Sequence, residues 1–365
     1  MEQKYINVMN SSIVGLYNDA LKVVKSNPTM WGFMGKTLIW QVNAIDKRKM
    51  WGKMGVHVPP FAIFSVTKRC NLKCAGCYSN SFTNTYEELS NEKIFGIIEE
   101  AHELGISMML LAGGEPFVRP ELLNITSEFP DIVFPVFTNG LLMKEEAISK
   151  LKRQKNVIPV LSLEGGEKET DQRRGKGVYE ELTYRMEQLK SNGIFFGTSI
   201  TITKENFETV TSNDFIKKHQ ALGSGLFFYI EYIPADLNAD YSPITTDQRK
   251  ELLKILEEQR KKSKSLFIAF PGDEGQFGGC LSSGRGFIHI ASNGSLEPCP
   301  FAPYSDTNLS ETTLKDGLQS SFLKSLREQP EHLREVEGGC ALFYRKEEIT
   351  SLLNSSIDQT HKLIR

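Results

Sequence analysis

The chain is predicted to be an α/β protein. A central run of βα units follows a helical extension and precedes a small, cysteine-containing α+β unit. Three observations predict this. Residues 58–235 alternate short β-rich runs with helical patterns, the sequence form of repeated βα units. Residues 1–57 read as helical and hold no cysteine. From residue 266 onward the runs shorten, glycine becomes frequent, and three of the six cysteines appear. The expected domains are therefore 1–57, 58–265 and 266–365.

A chain of 365 residues is long for one core but normal for an α/β barrel with an appended domain. A formal net charge of −2 argues against a nucleic-acid binder that works through a broad basic field. Met1-Glu2-Gln3-Lys4-Tyr5 leads into no apolar core, so no signal peptide is expected. No stretch reaches the roughly twenty apolar residues that span a bilayer. A cytoplasmic, reducing location is expected, and it suits oxygen-sensitive cysteine chemistry.

In the extension, Ile13, Leu16, Ala20 and Val24 recur at helix spacing until Pro28 breaks the pattern. Trp31, Met34, Leu38, Val42 and Ile45 form a second stripe. Lys36 is the only charge from Asn27 to Ile45, and Lys47, Arg48, Lys49 and Lys53 follow. Such a helix packs against the barrel, lies on a membrane surface as a peripheral contact, or grips an apolar substrate. In the central run the expected strands are 61–66, 107–111, 132–137, 157–162, 194–202 and 226–233. Expected helices are Asn91–Leu104, with Ser90 as its cap, 144–153, 178–192 and Asn213–Ala221. A charged helix from about 246 to 264 bridges to the last unit. There, 287–291 and 296–298 joined through Asn293-Gly294 read as a hairpin, and 343–365 as a helix.

The run 61–66 leads directly into Thr67-Lys68-Arg69-Cys70-Asn71-Leu72-Lys73-Cys74-Ala75-Gly76-Cys77-Tyr78, with spacing C-x3-C-x2-C. Three thiolates on one short loop hold three corners of a cubane iron–sulfur cluster and leave the fourth iron open. A structural zinc site needs four closed ligands, and no histidine or fourth cysteine lies nearby. A disulfide set needs an oxidising compartment. The next strand ends in Ala112-Gly113-Gly114-Glu115-Pro116, where adjacent glycines permit close backbone approach. Later strands end in Thr138-Asn139-Gly140 and in Ser162-Leu163-Glu164-Gly165-Gly166, followed by Asp171-x-x-Arg174-Gly175-x-Gly177. Ser162 and Glu164 point the same way along a strand.

These motifs resemble those of the radical S-adenosylmethionine (SAM) enzymes over roughly 58–340. The resemblance implies a partial (β/α)6, TIM-like barrel with its chemistry at the C-terminal strand ends. It implies a SAM-binding [4Fe-4S] cluster on Cys70, Cys74 and Cys77, with the SAM ammonium at Gly113, Gly114, Glu115 and Pro116. Tyr78 falls on the adenine side, Thr138 and Asn139 line the pocket, and Ser162 and Glu164 reach the ribose. Arg174 meets the carboxylate, with Arg173 as its competitor. Glu164 stands where relatives often carry Asp. Gly294-x4-Cys299-Pro300 resembles the auxiliary-cluster domains called SPASM and, in shortened form, Twitch. Cys280, Cys299 and Cys340 suffice for one auxiliary iron–sulfur cluster, or are ordinary buried thiols. The implied activity is reductive SAM cleavage to a 5′-deoxyadenosyl radical that takes hydrogen from a peptide, small-molecule or lipid-like substrate. A flavodoxin or ferredoxin supplies the electron. The rival reading is an iron–sulfur electron carrier or SAM-binding scaffold without turnover.

Overall fold

Seven parallel strands follow one another across the sheet in chain order. They are β1 (Phe61–Thr67), β2 (Met108–Gly113), β3 (Phe134–Thr138), β4 (Val157–Leu163), β5 (Gly197–Ile202), β6 (Leu226–Glu231) and β7 (Leu266–Phe270). On the far side of β1 the sheet continues with β8 (Phe287–Ile290), parallel to β1, and β9 (Leu296–Glu297), antiparallel to β8. The computed structural model describes residues 30–81, 87–235, 240–270, 279–334 and 340–363. The expected stripe Ile13 to Val24 and the glycines Gly278, Gly338 and Gly339 lie outside the described residues.

The sheet is curled into a partial barrel. Laid flat, β1 and β7 would stand about 29 Å apart, six steps of about 4.8 Å. The rings of Phe61 on β1 and Phe270 on β7 instead have centroids 6.5 Å apart. Side-chain alternation then separates two surfaces. On β1, Ala62, Phe64 and Val66 point outward under the helices and are fully buried. Phe61, Ile63 and Ser65 point inward. Phe137 of β3, Phe228 of β6 and Phe270 join Phe61 inside, with the Phe137 and Phe228 rings 5.1 Å apart. Phe61, Phe137 and Phe270 are only half-buried, so the interior is not packed shut among the described residues.

The helices sit close to their expected places. α1 is Trp31–Lys53, α2 is Asn91–Leu104, α3 is Leu122–Ser127 and α4 is Glu145–Arg153. Ser90 caps α2 by accepting from the Lys93 amide at 3.2 Å. α5 (Glu167–Arg174) was not expected, and α6 is Val178–Ser191. Ile194 N bonds Leu189 O at 2.9 Å, so residues 194–196 belong to the exit of α6 and β5 starts only at Gly197. α7 (Phe207–Thr211) and α8 (Asn213–Ala221) precede β6, and α9 (Thr246–Lys262) precedes β7. β7 is a seventh strand beyond the six expected. α10 (Ser321–Glu328) and α11 (Lys346–Leu363) pack on each other beyond the hairpin.

α1 fully buries only Met34 of its apolar stripe and leaves Trp31 and Val42 exposed. Met34, Thr37, Gln41, Ala44 and Arg48 face inward, while Trp31, Ile39 and Val42 are 50%, 64% and 58% exposed. Polar docking explains the buried face. Arg48 Nη1 donates to Gly105 O at 2.5 Å and Lys47 Nζ to His102 O at 2.9 Å. Both cations thus meet the carbonyl end of α2, where the helix dipole favours positive charge.

Phe64→Ala is expected to lower stability by about 3–5 kcal/mol, since it empties a fully buried site at the middle of the sheet. Val42→Ser on the outward face of α1 is expected to change it by less than about 0.5 kcal/mol. Denaturant unfolding of both variants checks the pair.

Candidate active site

The loop leaving β1 is anchored at its start by Glu88. Its Oε1 accepts from the Lys68 amide at 2.6 Å and from Thr67 Oγ1 at 2.9 Å. Its Oε2 accepts from Arg119 Nη2 at 2.9 Å. Burial pushes this carboxyl up, but the Lys68 amide, the Thr67 hydroxyl and the Arg119 and Arg69 guanidiniums outweigh it. The carboxyl is held below the usual carboxylate range.

The end of β2 then closes on the loop, backbone against backbone. Gly114 N donates to Thr67 O at 2.7 Å, and Glu115 N to Arg69 O at 2.9 Å. A Cβ on Gly113 would lie 2.2 Å from Thr67 O, and one on Gly114 2.3 Å from Arg69 O. Gly113 also has φ +124°, a conformation that only glycine adopts cheaply. The close approach expected of this motif is thus made to the cysteine loop itself.

Glu115 is fully buried and turns back to β3. Its Oε1 accepts from Thr138 Oγ1 at 2.7 Å and from the Phe117 amide at 3.0 Å. Its Oε2 accepts from the Asn139 amide at 2.7 Å. Burial raises this carboxyl, and the three donors offset only part of the rise. Pro116 opens the 3-10 turn Pro116–Val118 that supplies the Phe117 amide. Asn139 completes the tie by donating from Nδ2 to Asn71 Oδ1 at 2.9 Å, with Cys70 Sγ at 3.8 Å.

α5 grips the other end of the loop. Ala75 N donates to Arg173 O at 2.9 Å, and Arg173 Nε returns a bond to Ala75 O at 3.0 Å. Arg173 Nη1 also meets Glu164 Oε1 at 2.8 Å. Arg174 donates to the same oxygen from Nε at 2.8 Å and Nη2 at 2.6 Å. Glu164 is 2% exposed, and its Oε2 has no hydrogen-bond partner among the described residues. Burial pushes the Cys74 thiol up, while Arg174 and Arg173 pull it down and Cys77 pushes it up again. Burial likewise raises Cys70, with Cys74 and Cys77 adding to the rise. Ser162 accepts from Ser199 at 3.1 Å on the barrel's inner wall. Asp171 caps α6 by accepting from the Gly177 and Tyr179 amides at 2.6 and 2.9 Å.

Sequence reasoning missed Glu88 entirely and gave Arg173 only as a competitor. α5 had a signal: Glu169 Oε2 accepts from the Gly166 amide at 2.8 Å, half of a capping box three residues apart. Glu88 had none, because its partners, the Lys68 amide and the Thr67 and Arg119 side chains, lie twenty or more residues away in sequence.

The C-terminal cysteines come from three different stretches of the chain. Cys299 follows β9 and is 8% exposed, and its charge reaches Tyr78. Cys280 N bonds Leu333 O at 2.8 Å. Cys340 opens the short helix Ala341–Tyr344, where burial and then Cys340 raise the Tyr344 hydroxyl. Among the described residues no three His, Cys, Asp or Glu side chains converge to hold a single metal ion. Three thiols that feel one another's charge across a loop suit a multi-iron cluster, with one thiolate to each iron.

Residues 64–216 match the family model described as the Radical SAM superfamily. That match runs from β1 into α8 and takes in the cysteine loop, the Gly113-Gly114 turn and Glu164. It is 26% identical over 311 residues to the AdoMet-dependent heme synthase of Methanosarcina barkeri, covering 78% of this chain and 89% of that protein. It is 27% identical over 315 residues to the mycofactocin maturase MftC of Mycobacterium tuberculosis, covering 78% and 79%. With the subtilosin biosynthesis protein AlbA of Bacillus subtilis it shares 28% over 255 residues, 67% of this chain and 56% of that protein. Of AlbA, then, the chain spans about half. Among solved structures, Streptococcus suis SuiB bound to the precursor peptide SuiA has a TM-score of 0.62 at 18% identity, covering 85% and 75%. Native anSMEcpe with bound AdoMet has 0.59 at 16%, covering 84% and 100%. The likeness to both is one of fold.

Gly114→Ala is expected to displace the loop and cost about 1–3 kcal/mol of stability, with most of the reconstituted iron lost; iron assay and thermal unfolding check both. Glu88 carries a lowered carboxyl, so its contribution is fully present above the ordinary value of 4.5. That contribution fades as pH falls through the lowered folded value. The stability gap between wild type and Glu88→Gln in the metal-free protein is therefore expected to close in acid, as measured by melting temperature against pH.

Proposed function

We propose that Cys70, Cys74 and Cys77 hold a [4Fe-4S] cluster and that SAM binds beside it, between the Gly113–Glu115 turn and Glu164. When bound, the two together supply a 5′-deoxyadenosyl radical that takes a hydrogen atom from the substrate. The observation that carries this reading is the buried, unpartnered Oε2 of Glu164. A buried carboxylate oxygen costs free energy until a donor reaches it, and a ribose hydroxyl is such a donor. Arg173 and Arg174 hold Glu164 aimed from β4. Arg174 spends Nε and Nη2 on Glu164, which leaves Nη1 to meet the SAM carboxylate. The positive pair beside Cys74 also favours the thiolate that a metal requires. Glu115 supports the turn from below, and Tyr78 stands at the adenine side.

Two further assignments belong to the same reading. Cys280, Cys299 and Cys340 hold one auxiliary cluster of the shortened SPASM or Twitch kind, and a flavodoxin or ferredoxin delivers the electron. The substrate is a peptide, a reading supported by the names of two relatives, a maturase and a bacteriocin biosynthesis protein. The half-buried rings of Phe61, Phe137 and Phe270 inside the barrel favour a second reading, an apolar small molecule. The name of the heme synthase relative supports that one. No helix among the described residues is long and apolar enough to cross a membrane.

Anaerobic reconstitution with dithionite and SAM is expected to yield 5′-deoxyadenosine, and Cys74→Ala to abolish it. A wild-type protein that binds iron and SAM yet releases none would instead be a carrier or scaffold. The triple Cys70, Cys74 and Cys77 alanine variant is expected to keep about four irons per chain; an iron content of zero removes the auxiliary cluster from the account.

A further inference from the structure

Arg173 joins the charged wall to the cysteine loop through the edge of its guanidinium. Nη1 meets Glu164 Oε1 at 2.8 Å, Nε donates to Ala75 O at 3.0 Å and Nη2 to Gly76 O at 3.4 Å. Ala75 and Gly76 are the two residues between Cys74 and Cys77. All three nitrogens are thus engaged in the guanidinium plane, and aromatic rings are the natural cover for its faces. Its Cζ lies 5.8 Å from the ring centroid of Tyr232 and 5.7 Å from that of Tyr241. The two rings meet edge to face at 5.9 Å. The cation and both rings therefore form a nearly equilateral triangle, within the roughly 6 Å reach of a cation–π contact.

Both tyrosines are pinned to the end of β5. Tyr232 N donates to Ile202 O at 2.9 Å, one step past the end of β6. Tyr241 lies on the connection from β6 to α9. The next residue, Ser242, accepts from Lys204 N at 2.9 Å and donates its amide to both Glu205 carboxylate oxygens at 3.2 Å. Tyr232 is 2% exposed, and Tyr241 is half-buried at the rim. Packing alone would account for two tyrosines at a strand end, but Arg173 makes a further demand. It is 8% exposed and shares Glu164 Oε1 with Arg174, so its charge has lost water and has only part of a carboxylate in return. The ring faces offset some of that loss, which an aliphatic side chain of similar size would not do.

We propose that Tyr232 and Tyr241 are positioning residues that clasp Arg173. Through it they set the Ala75–Gly76 stretch of the cysteine loop and the aim of Glu164. The rim of β5 and β6 thereby becomes part of the charged wall of the site. Only the effect on SAM rests on the cofactor reading given above.

The test uses the full-length protein with Tyr241→Leu, Tyr241→Phe, Arg173→Gln and the Leu–Gln double variant. Tyr241 is the residue to change because it is half-buried, so its replacement spares the core. Leucine keeps apolar contact without a ring, and phenylalanine keeps the ring. The first readout is amide hydrogen exchange in the metal-free protein, at Ala75, whose N–H bonds Arg173 O, and along α5. It is expected to rise on the order of fivefold in Tyr241→Leu and to stay near the wild-type rate in Tyr241→Phe. In the Arg173→Gln background leucine is expected to add nothing, because the cation it acts through is gone. Exchange in α10 and α11 is expected to match wild type throughout. Unchanged exchange in Tyr241→Leu, a phenylalanine variant as open as leucine, or full additivity in the double variant would overturn the proposal. After reconstitution, the SAM dissociation constant is expected to rise about fivefold in Tyr241→Leu and to be restored in Tyr241→Phe. A constant unchanged by leucine would overturn the link to Glu164. If the exchange results hold but wild type binds no SAM, the cofactor reading fails and the clasp stands.

Discussion

No side chain fits between the Gly113-Gly114 turn and the carbonyls of Thr67 and Arg69. That steric constraint locks the ends of β1 and β2 together at backbone distance, and the cysteine loop has no freedom to drift from the strand that follows it. Glu115 depends on it as well. With its amide spent on Arg69 O, its side chain turns down to the Thr138 hydroxyl and the Asn139 amide. The first three strands of the barrel are thus joined through one tetrapeptide. Asn139 then reaches back to Asn71 and closes the ring.

The opposite side of the site is held by charge instead of contact. Glu164 Oε1 receives both Arg173 and Arg174 at 2.6–2.8 Å with almost no solvent. Such a buried cluster contributes little net stability. Its value lies in direction: it orients one carboxylate from β4, ties α5 to the loop at Ala75, and leaves two cations beside Cys74. An apolar replacement would fill the same space and do none of this. The site therefore has a rigid wall built by sterics and a charged wall built by a shared anion, with the cysteines between them.

Local patterns carried much of this into view before any coordinates. Strand periodicity placed six of the seven strands to within a few residues, and the C-x3-C-x2-C spacing located the loop. Gly-Gly-Glu-Pro, by itself a common turn, was legible because it falls at a strand end one βα unit after the cysteine loop. The rest depended on tertiary partners. α1 shows an apolar stripe in sequence, yet Arg48 and Lys47 docking on the carbonyl end of α2 decides which face is buried. β7 was hidden behind a charged helix, and its pairing with β6 is a property of the curl. Glu88 and Arg173 are polar residues whose meaning comes only from groups far along the chain.

The central claim is that the loop, the glycine turn and the Glu164 clamp form one site in which SAM meets the cluster. The most direct measurement is the electron paramagnetic resonance spectrum of the reconstituted, reduced protein before and after SAM is added. The account predicts a changed cluster signal in wild type and no SAM-induced change in Glu164→Leu. A wild-type spectrum indifferent to saturating SAM would contradict it.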